Sequence, residues 1–296
     1  MSVVIKKEVE SAIFTGIELL PDMSDQQFQC WVQLLESRIG MVLPLERRSF
    51  LTTNLGLRMR EIGIKDYSEY YNLLTRTQDG VREWQILVDR VTVHETRFNR
   101  HPNSLEVIEA YIRDKKVDPA SGRVNIEIWS TACATGEEAF TLAMCADRAL
   151  SARPDSGYFG VMATDISQSS LQDGRRAVYS KRRMKDLAPE LVDGYFEPAG
   201  VDLYRVVDSL RRRVCFSCVN IMNLDQTPMG GMDIIYCQNL LIYFDRPKRE
   251  KIVNKLVEYL LPGGLLILGS GEIIGWHNDK VRKVKDSHTL AFQRLG

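Results

Sequence analysis

From residue 124 onward, short runs of strand-forming residues alternate with helical patterns, and this alternation limits the fold more than any other feature. Val124-Asn-Ile-Glu-Ile-Trp129 reads as a strand, Glu137 to Leu150 as a helix, Tyr158 to Thr164 as a strand and Ser167 to Ala177 as a helix. Val214-Cys-Phe-Ser-Cys-Val219 and Met232-Asp-Ile-Ile-Tyr-Cys237 read as further strands. Pro247 to Leu260 reads as a helix capped by Asp245, Pro262-Gly-Gly264 as a turn and Leu265 to Gly269 as a buried strand. Strands separated by helices pair in parallel through right-handed crossovers, so an α/β, doubly wound sheet is predicted. Such sheets bind ligands beyond the carboxyl ends of their strands. Chemistry is therefore expected after Trp129, Thr164, Val219 and Cys237.

The first hundred residues read differently. Phe28, Trp31, Leu34, Leu35 and Ile39 recur at helical spacing after Ser24-Asp25, and Gly40 ends the run. Further helices are expected from Leu45 to about Glu61, with Phe50, Leu51, Leu55 and Met59 inward, from Tyr67 to Leu74 behind Asp66, and from Val81 to Val88. No strand is predicted before residue 120, and Lys115 to Gly122 reads as a turn-rich connector. With 296 residues the chain has room for about two domains. They are placed at 1–100 (helical) and 101–296 (α/β).

Composition excludes several classes. Apolar residues make up 44% and charged residues 26% of the chain, which is not a disordered composition. No apolar run is long enough to span a bilayer, and the first ten residues mix Lys with Glu, so neither membrane insertion nor secretion is expected. A cytoplasmic protein follows. Its six cysteines are scattered, which argues against a disulfide framework. Cys215 and Cys218 fall on opposite faces of a strand and read as core residues; without a second CxxC or a His pair, no metal is expected.

Lys and Arg number 39 against 39 Asp and Glu, and zero net charge argues against bulk nucleic-acid binding. Locally the charge is uneven. Residues 1–25 are acidic, with Lys6 and Lys7 against Glu8, Glu10, Glu18, Asp22 and Asp25. Residues 45–60 carry four arginines against Glu46, and residues 175–185 carry six basic side chains and no acid. Arg205 and Arg211 to Arg213 stand against Asp208. Each basic run can be a solvated face or a surface for an acidic partner.

The loop after Trp129, Ser-Thr-Ala-Cys-Ala-Thr-Gly-Glu-Glu138, is built of small residues that let a ligand approach the backbone. It has one glycine, so it is not a dinucleotide fingerprint. Glu137 and Glu138 disfavour a pyrophosphate and favour a ligand end bearing an amine, unless they only cap the helix. Asp165, at the end of the next strand, can accept hydrogen bonds from both ribose hydroxyls or cap the helix at Ser167. Together they point to an adenosine-containing ligand with a cationic tail. S-adenosylmethionine fits better than NAD. Tyr243 would place an aromatic face near a sulfonium.

These segments in order resemble the CheR family of chemotaxis receptor methyltransferases, over roughly residues 28 to 295. The resemblance is carried by Trp129 to Glu138, Ala163-Thr-Asp-Ile166, Val214 to Asn220, Cys237-Gln-Asn-Leu-Leu-Ile-Tyr-Phe-Asp245, Pro262-Gly-Gly264 and Leu268-Gly-Ser-Gly-Glu272. Val91-Thr-Val-His-Glu-Thr-Arg-Phe-Asn-Arg100 fills the place of a threonine-rich stretch ending in Phe-Phe-Arg.

The resemblance implies a Rossmann-like S-adenosylmethionine-dependent methyltransferase domain with a small all-α N-terminal domain and a β-subdomain inserted at about 178–213. It implies esterification of glutamate side chains on a methyl-accepting chemoreceptor, an acidic helical bundle faced by the basic helix of the N-terminal domain. The protein is expected to act as a monomer. By the resemblance Arg100 and Tyr243 are the catalytic residues. His94, Thr96, Arg100, Gly136, Glu137 (with Glu138 as competitor), Asp165, Asn220, Ile221, Asn239 and Leu240 contact the cofactor.

The acceptor carboxylate needs no deprotonation at neutral pH, with a reference pKa near ~4.3, so the enzyme must position it more than activate it. Gln238 stands where the family commonly has Arg, Asn99 replaces the second Phe, His94 replaces Asn or Gly, and Ala139 replaces Pro. The first three suggest a type IV pilus branch (PilK-like). The alternatives are a methyltransferase for another substrate, or a non-catalytic module that binds the cofactor.

Overall fold

The computed structural model describes residues 21–155, 157–226, 230–285 and 288–296. It divides into two units, one of residues 21–34 and 44–87, the other of residues 35–43 and 88–296. The first unit is helical. Helix α1 (Asp25–Ile39) starts on a reciprocal cap: the Gln27 amide donates to Ser24 Oγ at 3.2 Å, and the Ser24 amide donates to Gln27 Oε1 at 2.9 Å. Helix α2 (Arg48–Glu61) follows Pro44 and a short 3₁₀ turn over Leu45–Arg47, which fills the start of the helix expected from Leu45. Helix α3 (Tyr67–Arg76) is capped by Asp66, and helix α4 (Gly80–Val91) completes the set. Trp31, Leu51, Leu55, Met59 and Tyr70 are fully buried, whereas Phe50 is only half-buried.

The basic face expected on α2 is smaller than its arginine count. Arg58 turns inward and donates to both oxygens of Glu83, at 2.7 and 2.6 Å, while the Tyr70 hydroxyl donates to Glu83 Oε1 at 2.7 Å. Arg48 pairs with Asp25. Arg47 and Arg60 remain exposed. Of the acidic stretch 1–25, residues 1–20 lie outside the described residues.

The second unit carries helix α5 (Pro102–Asp114), which is not among the expected elements and which has Pro at its first turn. Strand β1 (Val124–Thr131), helix α6 (Glu137–Ser151), strand β2 (Gly157–Asp165) and helix α7 (Gln168–Arg176, capped by Ser167) follow as expected. An antiparallel three-stranded sheet of β3 (Val178–Ser180), β4 (Phe196–Gly200) and β5 (Leu203–Val206) forms the insertion, with the short helix α8 (Pro189–Tyr195) between β3 and β4. Phe98 packs edge-to-face on Tyr179 and Phe196, with ring centroids 4.9 and 5.5 Å apart, and anchors this sheet to the core. After the short helix α9 (Asp208–Arg211) come β6 (Val214–Cys218), β7 (Met232–Cys237), helix α10 (Arg246–Tyr259), β8 (Leu260–Leu268), β9 (Val281–Lys283) and β10 (Leu290–Arg294).

The large sheet has the order β6-β2-β1-β7-β8-β10-β9. The first five strands in that order run parallel, and β10 runs antiparallel to both neighbours. Strand order reverses between β1 and β7, and a crevice opens there beyond the carboxyl ends.

Two details differ from expectation. Pro262-Gly-Gly264 is not a free turn but a register shift inside β8, where Gly264 comes so close to the Leu261 and Met232 carbonyls that a Cβ would sit 2.8 and 3.1 Å from them. Cys215 and Cys218 are exposed, not core, because β6 is the edge strand of the sheet. Among the described residues no group of His, Cys, Asp and Glu could hold a metal, and no helix is long and apolar enough to cross a membrane.

Candidate active site

The crevice at the β1/β7 switch holds a cavity of about 240 Å³ lined by residues from six chain regions. From β1 the chain enters it through Ala132 and Ala134, both with positive φ (56° and 48°), before Gly136 (φ 95°) starts α6. Two alanines held in the left-handed region are strained, and their small side chains keep the backbone accessible. Gly136 itself faces the core: a Cβ there would lie 2.9 Å from the Tyr179 hydroxyl.

Asp165 closes the end of β2 and lines the cavity. Its Oδ2 accepts from the Ala134 amide at 2.8 Å and its Oδ1 from the Ser167 amide at 2.9 Å. Burial pushes its pKa up, and those backbone donors pull it back. Asp165 thus braces the turn before α7, whose N-cap is Ser167, and lines the cavity with the same side chain.

Glu137 and Glu138 diverge. Glu137 is fully buried away from the cavity, with Arg183 Nη1 2.6 Å from its Oε1 and the Thr135 hydroxyl donating to its Oε2 at 2.7 Å. Glu138 lines the cavity and accepts from the Ser130 hydroxyl at 2.6 Å. Burial, above all, raises its pKa to about 8. Helix α6 is buried on nearly every face, so its pattern has no stripe to show which glutamate turns to the cavity.

His94, Thr96 and Arg100 line the opposite side, together with Asn220, Ile221, Asn239, Leu240 and Tyr243. Every expected site residue except Gly136 and Glu137 therefore meets in one cavity. His94 Nε2 donates to the Asp89 carbonyl at 2.9 Å, and Arg100 Nη1 to the Glu95 carbonyl at 2.9 Å. Asn220 donates to the Arg38 carbonyl at 2.7 Å, and Asn239, in the left-handed region at φ 61°, has its Nδ2 3.0 Å from His101 Nε2. Ile39 and Met41 also line the cavity. They come from the segment 35–43, which the helical pattern had assigned to the N-terminal domain.

The chain matches the description "CheR methyltransferase, SAM binding domain" over residues 94–290 and "CheR methyltransferase, all-alpha domain" over residues 26–92. This chain belongs to the CheR methyltransferase family. The chemotaxis protein methyltransferase of Klebsiella aerogenes is 32% identical over 269 residues, covering 90% of this chain and 89% of that protein. That of Escherichia coli K12 is 32% identical over 253 residues, 84% of this chain and 85% of that protein. Chemotaxis protein methyltransferase 1 of Pseudomonas aeruginosa is 28% identical over 273 residues, 91% and 98%. The protein is an S-adenosylmethionine-dependent methyltransferase with the fold expected of that class.

The cavity fits the cofactor. Two acidic side chains line it, Asp165 at the end of β2 and Glu138 in the first turn of α6, and a ribose and a cationic tail call for such acceptors. The CheR-specific departures have structural answers. Gln238 is buried and saturated: it accepts from the Tyr236 hydroxyl at 2.7 Å and donates to Ser104 Oγ at 3.0 Å and the Leu268 carbonyl at 3.2 Å. Asn99 sits at φ 51°; its backbone amide donates to Thr141 Oγ1 at 3.2 Å and its side-chain Nδ2 to the Asp186 carbonyl at 3.3 Å. A residue that tolerates positive φ is favoured there over Phe.

Proposed function

We propose that the chain transfers the methyl group of S-adenosylmethionine to side-chain carboxylates of glutamates on a cytoplasmic chemoreceptor domain. The convergence of Asp165, Glu138, Arg100 and Tyr243 on one cavity carries this reading. Asp165 holds the ribose hydroxyls, and Glu138, in place of Glu137, holds the cationic tail. The bound cofactor supplies an electrophilic methyl group. Arg100 orients the incoming carboxylate through charge-assisted hydrogen bonds, and the ring of Tyr243 lines the approach to the methyl. No general base is required, because the acceptor is already an anion at neutral pH.

The exposed Arg47 and Arg60 of the helical unit match an acidic receptor bundle in charge. The active form proposed is a monomer. Assignment to a type IV pilus pathway rests on the departures at His94, Asn99 and Gln238 alone. Incubating the protein with its cognate receptor and cofactor, then mapping receptor peptides by mass spectrometry, tests the proposal. A methyl-ester mass increment on glutamate is expected. Modification confined to other residue types would refute it.

A further inference from the structure

Beyond the end of β7 the chain brings two consecutive carboxamides to the cavity, Gln238 and Asn239. Both are held from the start of helix α5. Gln238 Nε2 donates to Ser104 Oγ at 3.0 Å and to the Leu268 carbonyl at 3.2 Å, while its Oε1 accepts from the Tyr236 hydroxyl at 2.7 Å. Both of its N–H donors are therefore spent inside the fold. Asn239 Nδ2 lies 3.0 Å from His101 Nε2. The backbone fixes this contact at both ends. Pro102 keeps the preceding His101 out of the helical region, at φ −134° and ψ 74°, and the His101 carbonyl accepts from the Ser104 amide at 3.0 Å to close the first turn of α5. Asn239 stands at φ 61°, a conformation that Asn tolerates better than most residues. Both side chains are half-buried. Asn239 and Arg100 line the cavity, whereas His101 stays outside its lining. Burial, and then the positive charges of Arg100 and Arg97, lower the pKa of His101 from its ordinary value. At neutral pH the ring is thus uncharged, with one nitrogen free to accept.

We propose that His101 is a positioning residue for the cofactor: by accepting from Asn239 Nδ2 it fixes that carboxamide with its oxygen turned toward the ligand. A carboxamide carries its donor and its acceptor on opposite sides of one carbon, so anchoring the nitrogen at His101 directs Oδ1 away from it. S-adenosylmethionine offers donors to such an acceptor, in its amine, its ribose hydroxyls and its adenine amino group. Gln238 cannot take this part, because its amide is committed to Tyr236, Ser104 and Leu268. Without the acceptor at His101 the Asn239 amide is free to turn by half a rotation and to face ligand donors with its own N–H groups. This inference rests on the reading that the cavity binds S-adenosylmethionine.

Calorimetric titration of the full chain with S-adenosylmethionine tests it. His101→Leu removes the acceptor at similar size and should raise the Kd roughly three- to tenfold, the scale of one neutral hydrogen bond. His101→Gln, whose Oε1 can stand where Nε2 stood, should stay within about twofold of wild type, a rescue that a merely structural role would not show. Asn239→Gly keeps the left-handed backbone and removes the carboxamide. On that background His101→Leu should cost nothing further, because its effect runs through Asn239. Unchanged affinity in His101→Leu, failure of Gln to rescue, or losses that multiply in the double variant would each overturn the proposal. Should a variant not fold, the wild-type protein decides: nitrogen NMR of the imidazoles should show His101, one of four histidines, as the neutral Nδ1–H tautomer. The Nε2–H tautomer, or a charged ring at neutral pH, would overturn the proposal. Absence of saturable binding by the wild type would instead overturn the reading of the cavity itself.

Discussion

Ala134 and Asp165 are tied across the ends of β1 and β2 by a 2.8 Å hydrogen bond from the Ala134 amide to Asp165 Oδ2. The same carboxylate accepts from the amide of Ser167, the N-cap of the next helix. It therefore shapes the cavity floor and faces the ligand at once. Asp165→Ala leaves two buried amides without acceptors, a loss of about 1–3 kcal/mol for each. Its melting temperature and its cofactor affinity should both fall, by thermal unfolding and calorimetry respectively. Asp165→Asn keeps one acceptor and should lose less stability. Wild-type affinity in Asp165→Ala would refute the ribose assignment.

The two glutamates at the start of α6 should separate cleanly. Glu138→Gln removes the acceptor that faces the cavity and should weaken cofactor binding by roughly tenfold or more, as expected for a charge-assisted hydrogen bond. Glu137→Gln strips Arg183 of its buried partner. It should lower the melting temperature while changing cofactor affinity little. Equilibrium titration and thermal unfolding of both variants give the comparison, and a reversed pattern would show that Glu137 is the ligand.

Arg100→Ala should retain much of the cofactor affinity and lose roughly 10- to 100-fold in methylation rate, the scale of a charge-assisted contact to a carboxylate. Steady-state rates at saturating cofactor measure this. Unchanged turnover would remove Arg100 from the mechanism.

The raised acids also fix how stability depends on pH. Glu138 and Glu272 hold their protons to about pH 8 and 7 in the folded protein, against a reference of 4.5. Between pH 4.5 and about 8 the folded state thus binds more protons than the unfolded state, so this pair costs increasing stability as pH rises through that window. Thermal unfolding of the empty enzyme at pH 5.5 and 8 should show a larger loss in wild type than in a Glu138→Gln/Glu272→Gln variant. Equal losses would contradict the assignment of these two protons.

Much of this was legible in the residues. The alternation after residue 124 specifies the parallel sheet, and its strand ends point to Asp165, Asn220, Asn239 and Tyr243, which line the cavity. What the sequence hid has physical causes. Helix α6 is buried on nearly every face, so its pattern carries no phase to separate Glu137 from Glu138. Cys215 and Cys218 follow strand alternation, but their exposure depends on β6 lying at the sheet edge, a tertiary fact. Arg58 and Arg183 counted as surface charge, yet each spends its guanidinium on a buried glutamate, Glu83 and Glu137. Ile39 and Met41 reach the cavity from a segment whose helical pattern tied it to the N-terminal domain.

Transfer of radiolabelled methyl from S-adenosylmethionine to the purified cognate receptor, followed by mild base, tests the central claim most directly. Glutamate methyl esters predict label that enters the receptor and is released by base as volatile methanol. Label that resists base, or a receptor that stays unlabelled while the protein binds the cofactor, would contradict carboxylate methylation.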